Sequence, residues 1–267
     1  MEKDILVCNK WKRGGQSVAC PPLVEGTEMN IIVCIKQVIA GDQVKIDPRT
    51  RGVVRSAEFS RINPFDLFAL DRAVRLKEEY SGSITAVTMG PKISEEVLWE
   101  ALAIGVDRAV LLSDPRFAAS DTLATSYVLG MGIRKIGTFD VILCGMRTTD
   151  SDTAQVGPQL AEELGIPHLT GVEKLKKEQD LFHVERASDG FREVLEVSAP
   201  ALFTVASMAA VRLPSLVEIQ DAFSKYSIEC WNLEDLNADP ARAGRAGSRT
   251  WVEELIPIAR QKSCVFI

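Results

Sequence analysis

Four short apolar runs, each followed by a segment with helical spacing, constrain this chain more than any other feature. The runs fall at residues 31–38, 83–89, 109–112 and 141–144. Each is apolar on both faces, as in a parallel strand covered from two sides. Asn63-Pro64 opens the first helical segment, with Asn63 as cap and Pro64 in the first turn, where a missing amide costs nothing. Leu67, Leu70, Ala73, Val74 and Leu76 give it an apolar stripe, and Gly82 ends it. Ser94 is placed to cap a helix running to about residue 104, closed by Gly105. Ser120 or Asp121 caps another over about 122–136, and Asp152 a fourth from about residue 153 to residue 164, stopped by Gly165 and Pro167. Four β–α units in succession predict an α/β fold, an open parallel sheet with helices on both faces.

The rest of the chain has a different texture. Residues 172–176, 181–186 and 192–198 read as antiparallel strands joined by turns at Gln179-Asp180 and Asp189-Gly190. Residues 201–205 are apolar enough to rejoin the main sheet, 216–224 have helical spacing, and 44–54 form a short hairpin or ordered loop around Asp47-Pro48-Arg49. The sequence divides into a leader, 1–28, an α/β domain, 29–230, and a C-terminal arm, 231–267. The leader lacks both periodicities, and the strand pattern opens at Met29. Translation from that methionine is expected, which makes the leader a start-site artefact or a disordered arm. Residues 232–267 are polar with little core of their own, a composition that needs a partner surface to be ordered.

Composition removes several functions. Thirty-one Lys and Arg stand against 37 Asp and Glu, a net charge of −6, which argues against a general nucleic-acid binder. No apolar run approaches the ~20 residues of a membrane helix. Of six cysteines none forms a C-x-x-C pair. Cys34 and Cys144 lie inside apolar runs and read as reduced core thiols of a cytoplasmic protein. His168 and His183 are the only histidines, which excludes a His-rich metal site, and no metal ligands are assigned.

In an open parallel sheet, ligands bind beyond the carboxyl ends of the strands. Four segments fall there: Cys34 to Gln37, Thr88 to Pro91, Ser113 to Arg116, and Gly145 to Asp150. The last continues through Asp152 to Pro158 as a polar loop entering a helix, and its free amides suit a phosphate or pyrophosphate. Asp150 and Asp152 would repel that anion unless they cap the helix or hold a cation; plain capping is the alternative. Neither G-x-x-x-x-G-K-[ST] nor a G-x-G-x-x-G after the first strand is present, and Gly130-Met131-Gly132 lies within a helical segment, where it serves close packing. The nearest nucleophile-like signal is Ser or Thr without a histidine nearby, so a hydrolase triad lacks support.

From Met29 onward the chain resembles the beta subunit of electron transfer flavoprotein. The likeness rests on Cys34-Ile35-Lys36-Gln37-Val38, Asn63-Pro64-Phe65-Asp66, Met89-Gly90-Pro91, Ala101 through Arg108, Asp150 through Pro158, Asp239 through Gly244 and Gly247 through Thr250, and spans about residues 29 to 255. The resemblance implies a Rossmann-like sheet and a subunit without catalytic residues of its own. It implies a heterodimer with an FAD-bearing alpha subunit, against which the arm packs. Electrons arrive from a dehydrogenase, often acting on acyl-CoA, and leave to a quinone reductase, ferredoxin or flavodoxin. It also implies an adenine nucleotide in beta: FAD that takes a hydride from NADH in the electron-bifurcating branch, AMP in the conventional one. Residues 113–126 and 152–158 resemble the bifurcating and nitrogen-fixation-linked branches, which favours FAD.

Carried over residue by residue, the cofactor positions are Cys34, Lys36, Asn63, Asp66, Thr88, Met89, Gly90, Arg116, Asp121, Thr122, Thr125, Gly145, Asp152, Thr153, Ala154, Gln155 and Val156. Asp121 and Thr122 are expected at the diphosphate or ribityl group, and Arg116 to offset the charge of a reduced flavin. Pro115, Ala118-Ala119 and Arg147-Thr148-Thr149 depart from the usual pattern. Leu213-Pro214 occupies the place of the loop that docks a dehydrogenase, but lacks the usual Asn-Glu-Pro-Arg sequence and lysine-rich helix, which points to an unusual partner. Two rivals share the sheet: an adenine-nucleotide-binding stress or signalling homodimer, and an ATP-pyrophosphatase, whose Ser-Gly-Gly-type loop is missing at 35–41.

Overall fold

The computed structural model describes residues 28–39, 60–206 and 211–253, and the backbone of three short strands before them, β1 (Leu6–Cys8), β2 (Lys12–Arg13) and β3 (Gln16–Ser17). The hairpin or loop expected at 44–54, most of the leader, and residues 254–267 of the arm lie outside the described residues.

The four β–α units form as expected. β4 (Met29–Cys34) is followed by the small antiparallel pair β5 (Gln37–Ile39) and β6 (Ser60–Ile62), then α1 (Pro64–Tyr80). β7 (Gly82–Met89) leads to α2 (Glu95–Ile104), β8 (Arg108–Leu112) to α3 (Thr122–Ile136), and β9 (Val141–Gly145) to α4 (Val156–Leu164). Then come β10 (His168–Glu178), β11 (Leu181–Ser188), β12 (Phe191–Ser198), β13 (Ala201–Val205), α5 (Leu216–Lys225) and β14 (Ile228–Trp231). The main sheet runs β1-β12-β11-β10-β13-β9-β4-β7-β8-β14. From β10 to β14 every pairing is parallel, and β11 and β12 extend it antiparallel.

Both faces of the sheet are covered. Ile31, Val33, Ile84, Ala86, Ala109 and Leu111 alternate toward α1 and α2, and Ile32, Cys34, Val87, Val110, Leu112 and Cys144 toward α3 and α4. That two-sided burial is why the strands read as continuous apolar runs. The G-x-G of α3 serves close packing, as expected: a Cβ on Gly132 would lie 2.7 Å from Leu112 Cδ1. No helix among the described residues is long and apolar enough to cross a membrane.

The arm differs from expectation. Trp231, Leu233, Leu236, Ala238 and Ala243 are buried in the core on the α3 face, so this stretch has a core and finds it on its own domain. Its apolar residues are few and widely spaced in sequence, which hides them from a periodicity reading. Burial of Leu233 and Leu236, at about 1.5–3 kcal/mol each, favours seating this stretch of turns there.

Candidate functional site

β4 pairs on one side with β7 and on the other with β9, and the strand order runs away from it in both directions. Such a switch point leaves a crevice beyond the carboxyl ends of the two strands. Cys34 closes β4 and Cys144 the apolar part of β9; they are register partners, both buried, and with Met89 at the end of β7 they line the α3–α4 side.

Asp66 bridges the switch point. Its Oδ2 accepts a hydrogen bond from Lys36 N at 2.8 Å, and its Oδ1 one from Gly145 N at 3.2 Å, joining the chain just past β4 to the end of β9. A Cβ on Gly145 would stand 2.2 Å from Asp66 Oδ1, so this close approach requires glycine. Burial pushes the Asp66 carboxyl up to about 7, outweighing the Asn63 side chain, the two amides and the Lys36 charge. Asp66 therefore acts inside the fold, tying strand ends, which motif matching does not disclose.

Asn63 precedes α1 with Pro64 in the first turn, but its side chain makes no cap hydrogen bond. Instead its Nδ2 donates to Arg147 O at 2.8 Å and its Oδ1 accepts from Thr149 N at 3.2 Å. Fully buried beneath the loop, the amide satisfies backbone groups that have no water. Ser94, likewise, does not cap α2: its hydroxyl donates to Gln37 Oε1 at 3.0 Å.

Over this crevice lies the loop that follows β9. Lys36 Nζ reaches Asp150 at 2.6 and 2.9 Å, and although burial raises the Asp150 carboxyl, the ammonium holds it below its ordinary value. The Arg147 guanidinium sits 4.8 Å from the Phe65 ring centroid and 3.4 Å from Asp152. Residues 149–155 are all exposed, with left-handed backbone at Asp152 (φ 50°) and Ala154 (φ 55°). Those conformations keep Thr153, Ala154 and Gln155 out of the helix. α4 begins at Val156 with no side-chain cap, so the expected Asp152 cap and the start at residue 153 are both corrected. The first amides of α4 have no intrahelical acceptor.

The start of α3 stands beside the start of α4: Thr122 Oγ1 donates to Gln155 Oε1 at 3.0 Å, and Thr125 is half-buried one turn on. Ser126, which the sequence did not single out, donates to Thr122 O at 2.8 Å and Val156 O at 3.3 Å. Asp121 caps α3 as expected through Ala124 N at 3.0 Å. Its other oxygen accepts from Arg249 N at 2.7 Å, Thr250 N at 2.9 Å and Thr250 Oγ1 at 3.2 Å. Burial raises this carboxyl, and those donors together bring it below the usual range. Asp121 is thus engaged by its own helix and by the arm.

Arg116 is likewise engaged. Its guanidinium grips Asp114 at 2.6 Å and Glu234, on the arm, at 2.5 Å. The Asp114 carboxyl is held far below its ordinary range by that hydrogen bond, against burial, and the positive charge expected to face a flavin is neutralised. Thr88 shares a register position with Leu111 and lies on the same α1–α2 face as Ile84 and Ala86, near the end of β7; its buried hydroxyl has no hydrogen-bond partner. Gly90 lies at the rim, its amide donating to Leu112 O at 3.0 Å. Leu213 and Pro214 lie far along the chain before α5, where Leu213 is 79% exposed, as are Leu216, Val217 and Phe223 in large part. Among the described residues no three His, Cys, Asp or Glu side chains are grouped as a metal site.

The crevice therefore combines a buried thiol-lined floor, an exposed loop and two helix starts. Residues 50–231 match the electron transfer flavoprotein domain. That match covers more than half of the chain. The chain belongs to the electron transfer flavoprotein beta-subunit family. It is 43% identical over 225 residues to the electron transfer flavoprotein subunit beta of Thermoanaerobacterium thermosaccharolyticum, covering 84% of this chain and 86% of that one. It is 42% identical over 226 residues to the caffeyl-CoA reductase-Etf complex subunit CarD of Acetobacterium woodii, covering 84% and 86%. Protein FixA of Azorhizobium caulinodans is 40% identical over 250 residues, covering 90% and 88%. The family resemblance read from the motifs is thereby established, in company with FixA-like and CarD-like members.

Proposed function

We propose that this chain is the beta subunit of a heterodimeric electron transfer flavoprotein and holds an adenine nucleotide in the crevice at the β4–β9 switch point. The observation that carries the reading is the loop after β9: seven consecutive exposed residues, 149–155, lead into the uncapped start of α4 beside the start of α3. Amides there suit phosphate oxygens. Asp66, Asn63 and Lys36 hold the loop from below, so the amides are positioned before a ligand arrives.

The favoured ligand is FAD, on the resemblance of residues 113–126 and 152–158 to the bifurcating branch; such a flavin would supply hydride uptake from NADH. AMP is the second reading, and a specific observation favours it: Arg116 and Asp121, the residues assigned to the flavin half, are engaged by Glu234 and by residues 249–250 of the arm. The ribose and phosphates common to both ligands would meet the loop and Thr122.

An alpha subunit bearing FAD, a dehydrogenase acting on acyl-CoA or a related thioester, and a ferredoxin, flavodoxin or quinone reductase complete the reading. The similarity to a subunit of a caffeyl-CoA reductase complex supports a CoA-linked partner. Exposed Leu213 beside α5 is proposed as the apolar anchor for that dehydrogenase. The deciding experiment co-expresses the chain with its alpha subunit and counts the nucleotides released per heterodimer. Two FAD and no AMP support the favoured reading, one FAD and one AMP the second, and a chain that carries neither with no flavin-bearing companion sinks both.

A further inference from the structure

Cys34 and Cys144 face each other across the switch point. They are register partners on adjacent parallel strands, both point to the α3–α4 face, and their thiols are free. Paired strands stand about 4.8 Å apart, inside the roughly 4.4–6.8 Å between α-carbons that a disulfide spans. Asp66 ties together the chain just after both cysteines by accepting from Lys36 N and Gly145 N, which holds the two strand ends side by side. The residues are 8% and 6% exposed, at the end of the sheet where the crevice opens, rather than sealed in its centre.

We propose that Cys34 and Cys144 are a redox-modification site: a small two-electron oxidant converts the facing thiols into a reversible disulfide that clamps β4 to β9. With a peroxide as oxidant, one thiolate sulfur attacks the O–O bond and becomes a sulfenic acid, releasing hydroxide, which takes up the proton that thiol gave. The second thiol sulfur displaces the sulfenic oxygen, the S–S bond forms, and a second water leaves. Two electrons and two protons pass from the thiols to the peroxide. The Cys144 thiol is pushed up by the neighbouring Cys34 thiol and by burial, which makes the reaction slow.

The test uses the full chain as isolated, with any subunit that accompanies it, so it reads the bond whether or not the crevice takes a nucleotide. The protein is treated with diamide, whose N=N bond accepts the same two electrons and two protons, then denatured, alkylated and digested without reductant. The expected result is a peptide pair joined through Cys34 and Cys144 in most chains, about 2 Da lighter than the two reduced peptides. Dithiothreitol should abolish it, and it should be missing from both Cys34→Ser and Cys144→Ser. Exposed Cys230 is the control for reagent access. If Cys230 is modified while Cys34 and Cys144 are recovered singly alkylated, or if either is found joined to another cysteine, the proposal is overturned.

Discussion

Replacing Asp66 by Asn tests whether burial or hydrogen bonding governs the group at the centre of the switch point. The folded carboxyl titrates near 7 against 3.8 in an unstructured chain. Between those values the folded protein holds a proton that the unfolded chain releases, so stability falls as pH rises, by up to about 1.4 kcal/mol per pH unit. Below about pH 4 and above about pH 7 this contribution is flat. Integrated from pH 5 to pH 7 it amounts to about 2 kcal/mol. The substituted amide keeps the shape and cannot titrate; its NH2 must face one of the two backbone donors, a pH-independent loss of about 1–3 kcal/mol. Urea unfolding of both proteins at half-unit steps from pH 5 to 7.5 separates the two effects, because every other titrating group is shared. The wild type should lose about 2 kcal/mol relative to Asp66→Asn over that range. A difference that does not vary with pH, or one that grows in favour of the wild type as pH rises, would mean that Lys36 N and Gly145 N keep Asp66 ionised and that the reasoning from burial is wrong.

Three further outcomes follow from contacts around the site. Gly145→Ala drives a Cβ to 2.2 Å from Asp66 Oδ1 and 2.7 Å from the Phe65 carbonyl carbon, so the urea midpoint should drop by the equivalent of about 1–3 kcal/mol or more; an unchanged midpoint would contradict the close approach. Leu233→Ala should cost about 2–5 kcal/mol because the side chain is 5% exposed on its own domain, whereas a change under about 0.5 kcal/mol would show the arm seated elsewhere. Leu213→Ala should leave stability within about 0.5 kcal/mol, since the side chain is 79% exposed, and slow reduction by the cognate dehydrogenase at least about tenfold; an unchanged rate removes the anchor.

The fold was legible because its signal is periodic. Apolar runs bounded by caps and glycines located β4, β7, β8 and β9 and the helices between them, and the turns Gln179-Asp180 and Asp189-Gly190 located the antiparallel extension, both with left-handed backbone. Side-chain partners were not legible in the same way. Asn63 stands where a cap belongs, and only the passage of residues 147–149 above it shows why its amide is used elsewhere. Arg116 and Asp121 have the right chemistry for a phosphate or flavin, but their partners, Glu234 and residues 249–250, lie more than a hundred positions away in a segment without periodicity. Asp66 was found as a family motif position, and its bridging role needed the register of β4 against β9.

Those pairings also decide how the crevice can hold an anion. Lys36 is met by Asp150, Arg147 by Asp152, and Arg116 by Asp114 and Glu234. Three cations thus stand against four carboxylates, which leaves no net positive field at the loop. Binding of a phosphate must then come from short-range donors, the amides of residues 153–157 and the Thr122 hydroxyl, aided by two helix starts. Hydrogen bonds made at contact distance are screened far less than interactions between separated charges, which fade beyond about 10 Å at 0.1 M salt. Equilibrium titration of nucleotide-stripped protein with AMP, read by calorimetry, should therefore give affinities within about threefold between roughly 0.05 and 0.5 M sodium chloride. A loss of tenfold or more over that range would mean that Lys36 or Arg147 leaves its carboxylate to take the phosphate, and that the pairs are latches opened by the ligand rather than fixed supports of the loop.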